Sequence, residues 1–452
     1  MLDSDGGREQ WFEWVSTLES LSADPVLPVI RREVFDVFAF GLRRGRRHAI
    51  VGRLASWARA CRALTRSAAA VRPAPVVIVA EFDRATDTTR ALEAELSRVA
   101  STPYTTVTPS DVRSYVRPLG PERRAGRWFD ELVGSVRLAP APRSPGVPPP
   151  GRIGRSRLLA ARRFLAHTAP EVVVTTRDQQ PLPAALAMAA RERGIPSLAL
   201  QHGSMAPVVN LPVNVFRYAV WGDYTRDELV AEGADPDRLV ACGSPRHDAL
   251  LRQASRRTAQ EARTRLGLAT DRPVFVYFSS GHARVLPRDV LEAMETWIAR
   301  IASMLGPTWA VVVKPHPSES AQPWRNAGVT VLGTDPDTTT DALVAATVVG
   351  GSYTTVLEEA TLLRRPALQL LGDRWPDLVP LWRVGGTVLA RSPEDAVAWL
   401  TRVGERGCDE ETVAAQADFA RAAFAQRGRA SAAIADLVEE LRTTRNPRAT
   451  DD

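Results

Sequence analysis

The chain is poor in several residues and runs that mark particular protein classes. Its three cysteines, Cys61, Cys242 and Cys408, are too few and too scattered for a disulfide framework or a cysteine-based zinc site. A reducing compartment, the cytoplasm, is the expected setting. The six histidines are dispersed, with no His-x-x-x-His or Cys-x-x-Cys pair, so no metal centre is expected. No apolar run approaches the length that spans a bilayer, and the amino terminus lacks the apolar core of a secretory signal. The Gly-x-Gly-x-x-Gly fingerprint and the Walker loop are missing, which weighs against a dinucleotide oxidoreductase or an ATPase. There is also no Gly-x-Ser-x-Gly nucleophile elbow.

What is present describes a soluble globular protein, with 44% hydrophobic and 24% charged residues. At 452 residues the chain is too long for one ordinary core, and two α/β domains fit it. The net charge of +6 conceals a cluster of arginines early in the chain. Arg31, Arg32, Arg43, Arg44, Arg46 and Arg47 flank Phe35, Phe38, Phe40 and Leu42. Such a surface could meet anionic lipid or a polyanionic acceptor, or be a solvated helix face in an arginine-rich protein. Nucleic acid is not the expected partner, because the aromatics are not interleaved with the basic residues as a stacking platform requires.

Residues 1–70 read as helical, with no strand-like run. The first strand candidate is PVVIVAEFD (residues 75–83), followed by a helical pattern through Ala91, Leu92 and Leu96. Residues 138–155 are rich in Pro, Gly and Arg, and their PPPG tail suggests an extended, poorly ordered loop. From there strands and helices alternate. Strand-like runs are EVVVTT (171–176), the run ending at Gln201, FRYAVWG (216–222) and RLVACGSP (238–245). A second series begins with PVFVYFSSGH (273–282) and continues through the strand into KPHPS, then TVLG (330–333), TVVGGS (347–352), PALQLL (366–371) and TVLA (387–390). The alanine-rich stretch 410–441 reads as one or two helices.

Strands alternating with helices imply parallel sheets with right-handed crossovers. The expected architecture is a helical region (1–70), a first Rossmann-like domain (71–250), a second (251–405) and carboxy-terminal helices (406–452). A single large sheet is the alternative, but the second series is complete enough to stand alone. In such sheets ligands bind beyond the carboxyl ends of the strands.

Two histidines occupy that position, His202 in QHGS and His316 in KPHPS. Prolines on both sides of His316 restrict its backbone. Lys314, His316 and Ser318 alternate there, and the two cationic groups could neutralise a departing phosphate. In GGSYTTVLEEATLLRRP (350–366), Ser352, Thr354 and Thr355 precede a helix whose first amides lack partners, which suits a phosphate or diphosphate. Capping accounts for Ser352 alone but does not call for two further hydroxyls. Glu358 or Glu359 could accept from ribose hydroxyls, and at most one of them can face the cleft, with Glu359 slightly preferred. Ser279, Ser280 and Gly281 form a second small-polar turn that could make a nest for an anion. In the first series, His202 could deprotonate an acceptor hydroxyl. Gln201, Gly203 and Ser204 would line its turn, and Arg177 and Asp178 could contact the acceptor or orient His202. Asp83, at the end of the first strand, is a rival general base.

The series QHGS, VWG, CGSPRHD, KPHPS and SYTTVLEEATLLRRP resembles bacterial GT-B transferases of surface-polymer synthesis, over about residues 170–375. Those include capsule-polysaccharide glycosyltransferases and CDP-glycerol glycerophosphotransferases. The resemblance implies a metal-independent reaction in the interdomain cleft, with a nucleotide-activated donor as co-substrate and no other cofactor. It implies acceptor activation by His202 and donor-phosphate binding by His316, Ser352, Thr354 and Thr355. The acidic Asp/Glu-Asp-Gly motif of several bacterial sialyltransferases is absent. CGSPRHD and the Glu358–Glu359 helix also look like parts of UDP-N-acetylglucosamine 2-epimerases. The expectation is a glycosyltransferase acting on a nucleotide-sugar and a hydroxyl acceptor. Transfer of a CDP-activated polyol phosphate, 2-epimerisation and a non-catalytic nucleotide-binding scaffold are the alternatives.

Overall fold

The computed structural model describes residues 71–80, 87–99, 102–115, 150–205, 210–279, 288–317, 319–326, 328–373, 375 and 377–443. The expected helical region 1–70 with its arginine clusters, and Asp83, Ser280, Gly281 and Ser318, lie outside them.

The first domain runs β1 (Val76–Val79), α1 (Asp87–Val99), β2 (Tyr104–Val107), α2 (Pro109–Ser114), α3 (Pro150–Thr168) and β3 (Val172–Thr175). It continues with α4 (Pro181–Arg191), β4 (Ser197–Leu200), β5 (Arg217–Val220), α5 (Asp223–Ala231), β6 (Leu239–Ala241) and α6 (Pro245–Ala254). The strands form one sheet in the order β2-β1-β3-β4-β5-β6, every pair parallel. Short apolar runs such as VVIV and VVVT are buried throughout because helices cover both faces of the sheet.

The sequence reading missed β2. Its YTTV pairs only with β1, at the sheet edge, and just one of its four residues is buried, so the apolar run that betrays a central strand is absent. The expected loop through residue 155 is also corrected, since α3 already begins at Pro150. Proline is well suited to the first turn of a helix, where its missing N–H has no partner to lose.

The second domain begins with α7 (Ala259–Arg265), β7 (Val274–Phe278), α8 (Arg288–Leu305), β8 (Ala310–Lys314), α9 (Gln322–Asn326) and β9 (Thr330–Val331). Then come α10 (Pro336–Ala345), β10 (Val348–Gly351), α11 (Val356–Leu362), β11 (Ala367–Leu370), β12 (Val388–Ala390) and α12 (Pro393–Arg406). This sheet is also wholly parallel, in the order β12-β11-β10-β7-β8-β9. The chain moves outward from β7 in one direction, then restarts beside it with β10 and moves outward in the other. That reversal leaves a crevice at the carboxyl ends of β7 and β10, where doubly wound sheets hold their ligands.

Two helices close the chain. α13 (Glu410–Ala423) packs on α11 and also on α5 of the first domain. α14 (Ala430–Thr443) crosses back to the first sheet, where Ile434, Leu437, Val438 and Leu441 join Leu92, Leu96, Val172 and Leu198 in one core. The CGSPRHD segment makes this return possible. Gly222 and Gly243 stand where a β-carbon would lie 2.4 Å from the carbonyl oxygens of Ala422 and Ala425, respectively. The carboxylate of Asp248, 1% exposed, accepts from the amides of Ala430 (3.2 Å) and Ser431 (2.8 Å) and from the Ser431 hydroxyl (2.8 Å). A side chain from α6 thus satisfies orphan donors at the start of α14. Among the described residues, no helix is long and apolar enough to cross a membrane.

Candidate functional site

The register of the second sheet places three loops side by side. Phe278 of β7 is level with Lys314 of β8 and with Gly351 of β10, so the residues following each strand emerge together. Ser352, 2% exposed, hydrogen-bonds through Oγ to the Tyr277 phenol at 3.1 Å. Gln369 of β11 braces the same turn, with Nε2 donating to the carbonyls of Ser352 (3.4 Å) and Val379 (3.0 Å) while Oε1 accepts from Thr387. The Ser279 hydroxyl accepts from the His316 amide at 2.8 Å and donates to the Glu319 carboxylate. Ser279 therefore holds the KPHPS turn in place, rather than standing free as an anion donor.

His316 itself is exposed. Its pKa lies below the ordinary value, chiefly through desolvation; Glu319 opposes the shift, while the charges of Lys314 and Arg246 add to it. Lys314 is only 2% exposed and donates weakly to the Pro315 carbonyl at 3.4 Å. Burial lowers its pKa, with Asp335 pulling the other way. It is the only lysine in a chain with 58 basic residues, and it lies beneath the turn instead of projecting from it. Thr354 and Thr355, half-buried, precede α11. The Thr354 hydroxyl accepts from the Val356 amide at 3.3 Å, while Thr355 caps the helix through its backbone only.

The QHGS turn of the first domain meets this start of α11. A β-carbon on Gly203 would lie 3.2 Å from Thr355 Cγ2, so the absence of a side chain lets the two domains approach. His202 is half-buried, and its pKa falls to about 3 through desolvation, then the charges of Arg177 and Arg246. Gln201, 2% exposed, is spent on shaping the turn. Its Oε1 accepts from the Trp221 amide (2.7 Å), its Nε2 donates to the Gly203 carbonyl (3.0 Å), and its carbonyl accepts from the Trp221 indole (3.0 Å). Asp178 is wholly buried. Its carboxylate accepts from the Asn214 amide at 2.7 Å and is pushed up to about 7 by desolvation. In this structure the side chains of Gln201 and Asp178 hold loops, Gln201 in the turn it was expected to line and Asp178 against Asn214. Polar side chains at strand ends look alike in sequence whether they face ligand or protein.

Both glutamates of α11 are buried against the first domain. Glu358, 3% exposed, faces Ser204, and desolvation pushes it up to about 7, with the neighbouring Glu359 charge raising it further. Glu359, 1% exposed, pairs with Arg246 of α6 at 2.5 Å, and His247 Nε2 lies 3.8 Å from the same oxygen. Arg246, within CGSPRHD, is central to this junction. Its charge acts on His202, His316 and Glu359, which ties the two histidines and the α11 helix into one electrostatic neighbourhood. Its functional signal lay in CGSPRHD, but nothing in the spacing showed that α6 would return to α11.

Comparison with known proteins bears on the fold and on the family the chain resembles. Residues 230–373 match the family model of CDP-glycerol:poly(glycerophosphate) glycerophosphotransferase. No curated protein matches the chain by sequence. Among solved structures, the UDP-GlcNAc 2-epimerase of Neisseria meningitidis, bound to UDP-GlcNAc, superposes with TM-score 0.56 at 14% identity, covering 81% of this chain and 99% of that one. The UDP-GlcNAc 2-epimerase of Methanocaldococcus jannaschii, in complex with UDP-GlcNAc and UDP, gives TM-score 0.53 at 14% identity, covering 81% and 99%. The wall teichoic acid polymerase TagF is similar at TM-score 0.47 and 14% identity, covering 92% of this chain and 97% of that one. The two Rossmann-like domains expected from the alternation of strands and helices, and the GT-B fold implied by the resemblance, are the fold of this chain. The motif resemblance to GT-B transferases of surface-polymer synthesis is borne out over residues 230–373, which include KPHPS and the start of α11.

Proposed function

We propose that the protein transfers a polyol phosphate from a CDP-activated donor to a hydroxyl acceptor in surface-polymer synthesis. The observation that carries this reading is the family match, which spans the whole crevice between β7 and β10 together with α6. The donor's diphosphate would lie over Ser352, Thr354 and Thr355, with His316 beside it and the buried charge of Lys314 beneath the turn. The acceptor would approach from the first domain, past His202, Gly203, Ser204 and Arg177. In the reaction the acceptor oxygen bonds to the donor's distal phosphorus, and the bond from that phosphorus to the bridging oxygen breaks. CMP leaves with the bonding pair. His202, neutral at physiological pH, accepts the hydroxyl proton. Its pKa of about 3 makes it a weak base alone, but a bound diphosphate offsets the Arg177 and Arg246 charges and raises it. Placing the base on one domain and the leaving group on the other makes proton removal conditional on an occupied donor site.

Glycosyl transfer is the second reading, favoured by the motifs shared with capsule-polysaccharide glycosyltransferases. It uses the same crevice with carbon, not phosphorus, as the electrophile. A panel of CDP-glycerol, CDP-ribitol, UDP-GlcNAc and CMP-sugars, read by thermal shift and then by nucleotide release with a polyol acceptor, separates the two. CMP release from a CDP-polyol supports the first reading, and release from a sugar nucleotide the second. Conversion of UDP-GlcNAc without an acceptor points to epimerisation, and silence with every donor removes the catalytic readings altogether. The basic segment within residues 1–66 would bring the enzyme to anionic membrane, and co-sedimentation of full-length and residue 67–452 forms with phosphatidylglycerol vesicles tests that.

A further inference from the structure

The pair Arg246–Glu359 has a third member that a simple ion pair does not need. His247 is 3% exposed, and neither ring nitrogen has a hydrogen-bond partner. Its ring sits edge-on between Trp221 and Phe424, with centroids at 4.5 and 4.8 Å. A neutral imidazole always carries one N–H, and burying that donor unpaired is unfavourable because its desolvation is not repaid. The nearest acceptor is the Glu359 oxygen, 3.8 Å from Nε2. A shift of about one ångström would bring it within hydrogen-bond range. That oxygen is already held by Arg246 at 2.5 Å.

Arg246 is placed to leave. Its side chain is 32% exposed where that of Glu359 is 1% exposed, so the arginine reaches solvent while the carboxylate does not. A guanidinium has five N–H donors in a fork that fits phosphate oxygens, and the contact with Glu359 is made through Nη2. Its charge also acts on His202 in one domain and His316 in the other, as a group beside the donor's diphosphate must.

We propose that Arg246 is a ligand of the donor's diphosphate, and that His247 takes over the Glu359 carboxylate when Arg246 turns to the donor. The proposal rests on the donor site assigned above. Without a substitute, removing Arg246 from Glu359 would strand a buried carboxylate, which is strongly destabilising. With His247 donating in its place, that cost is largely offset, and Arg246 becomes free for phosphate. Arg246 is thus a binding residue and His247 a positioning residue that acts through Glu359.

The test compares CDP and UDP with cytidine and uridine by isothermal titration, in the wild type and in Arg246→Gln, Arg246→Lys and His247→Phe. The expected result is a loss of about tenfold or more in diphosphate affinity for Arg246→Gln, with nucleoside affinity unchanged. Arg246→Lys should recover part of it. His247→Phe should weaken the diphosphates several-fold and leave the nucleosides alone, although Arg246 is still present. Equal losses for nucleoside and diphosphate in the Arg246 variants, or none for either, would overturn the proposal. Should Arg246→Gln not fold, the diphosphate-to-nucleoside ratio in Arg246→Lys and His247→Phe decides the matter. Failure of the wild type to bind any nucleotide sinks the donor-site assignment itself, an outcome distinct from a variant that binds as well as wild type.

Discussion

Replacing Glu358 by glutamine isolates the cost of burying an acid at the junction of the two domains. Glu358 is 3% exposed, and its pKa rises from the ordinary 4.5 to about 7, through desolvation first and then the like charge of Glu359, with Ser204 opposing. Between those values the folded protein binds the proton more tightly than the unfolded chain. The contribution of this group is therefore present in full below pH 4.5 and is lost as pH rises through about 7. At about 1.4 kcal/mol per pH unit, the difference between the two limits is about 3 kcal/mol. Glutamine has nearly the same shape as protonated glutamate but cannot ionise. Glu358→Gln should consequently match wild type near pH 4.5 and exceed it by up to about 3 kcal/mol at pH 8. Urea unfolding of both proteins at the two pH values gives the comparison. Asp178, also pushed up to about 7, contributes equally to both and cancels. An unchanged difference across pH, or a variant less stable than wild type at pH 8, would refute the burial argument.

Three further outcomes follow from the site and the interdomain packing. His202→Ala should cut turnover by roughly a hundredfold or more, the usual scale for a general base, while donor affinity measured by calorimetry stays within about twofold; equal loss of both would make His202 a donor ligand or a structural residue. His316→Ala should weaken nucleotide binding by about tenfold, and an unaltered dissociation constant excludes it from the donor site. Gly243→Ala meets a positive φ of 77° and the Ala425 carbonyl at 2.4 Å. It should cost about 3 kcal/mol or more, read as a fall in Tm, and an unshifted Tm means that the crossing chain yields easily.

The parts of this protein legible in its sequence are those whose signal is local. Runs such as VFVYF and AVVVK announce central parallel strands because both their faces are buried, and most of the strands among the described residues have such a run or a shortened form of it. YTTV does not, since an edge strand keeps polar residues. The crevice between β7 and β10 could be anticipated from glycines and hydroxyls following a strand. What could not be anticipated is which polar side chains the fold would consume. Gln201 and Ser279 carry the residue types of a ligand site, yet their hydrogen bonds go to Trp221, His316 and Glu319. Arg246 and Glu359 are more than a hundred residues apart, and only the packing of α6 beside α11 brings them together.

The polypeptide passes between the two sheets twice, once after α6 and again between α13 and α14. A body joined to another at two points turns most easily about the line through them, as a lid does, and sliding or twisting across that line is resisted. His247 touches Phe424 at the start of the second passage, so the Glu359 cluster lies beside the pivot. A small rotation about that line becomes a larger displacement at the far rim of the cleft, in proportion to the distance from it.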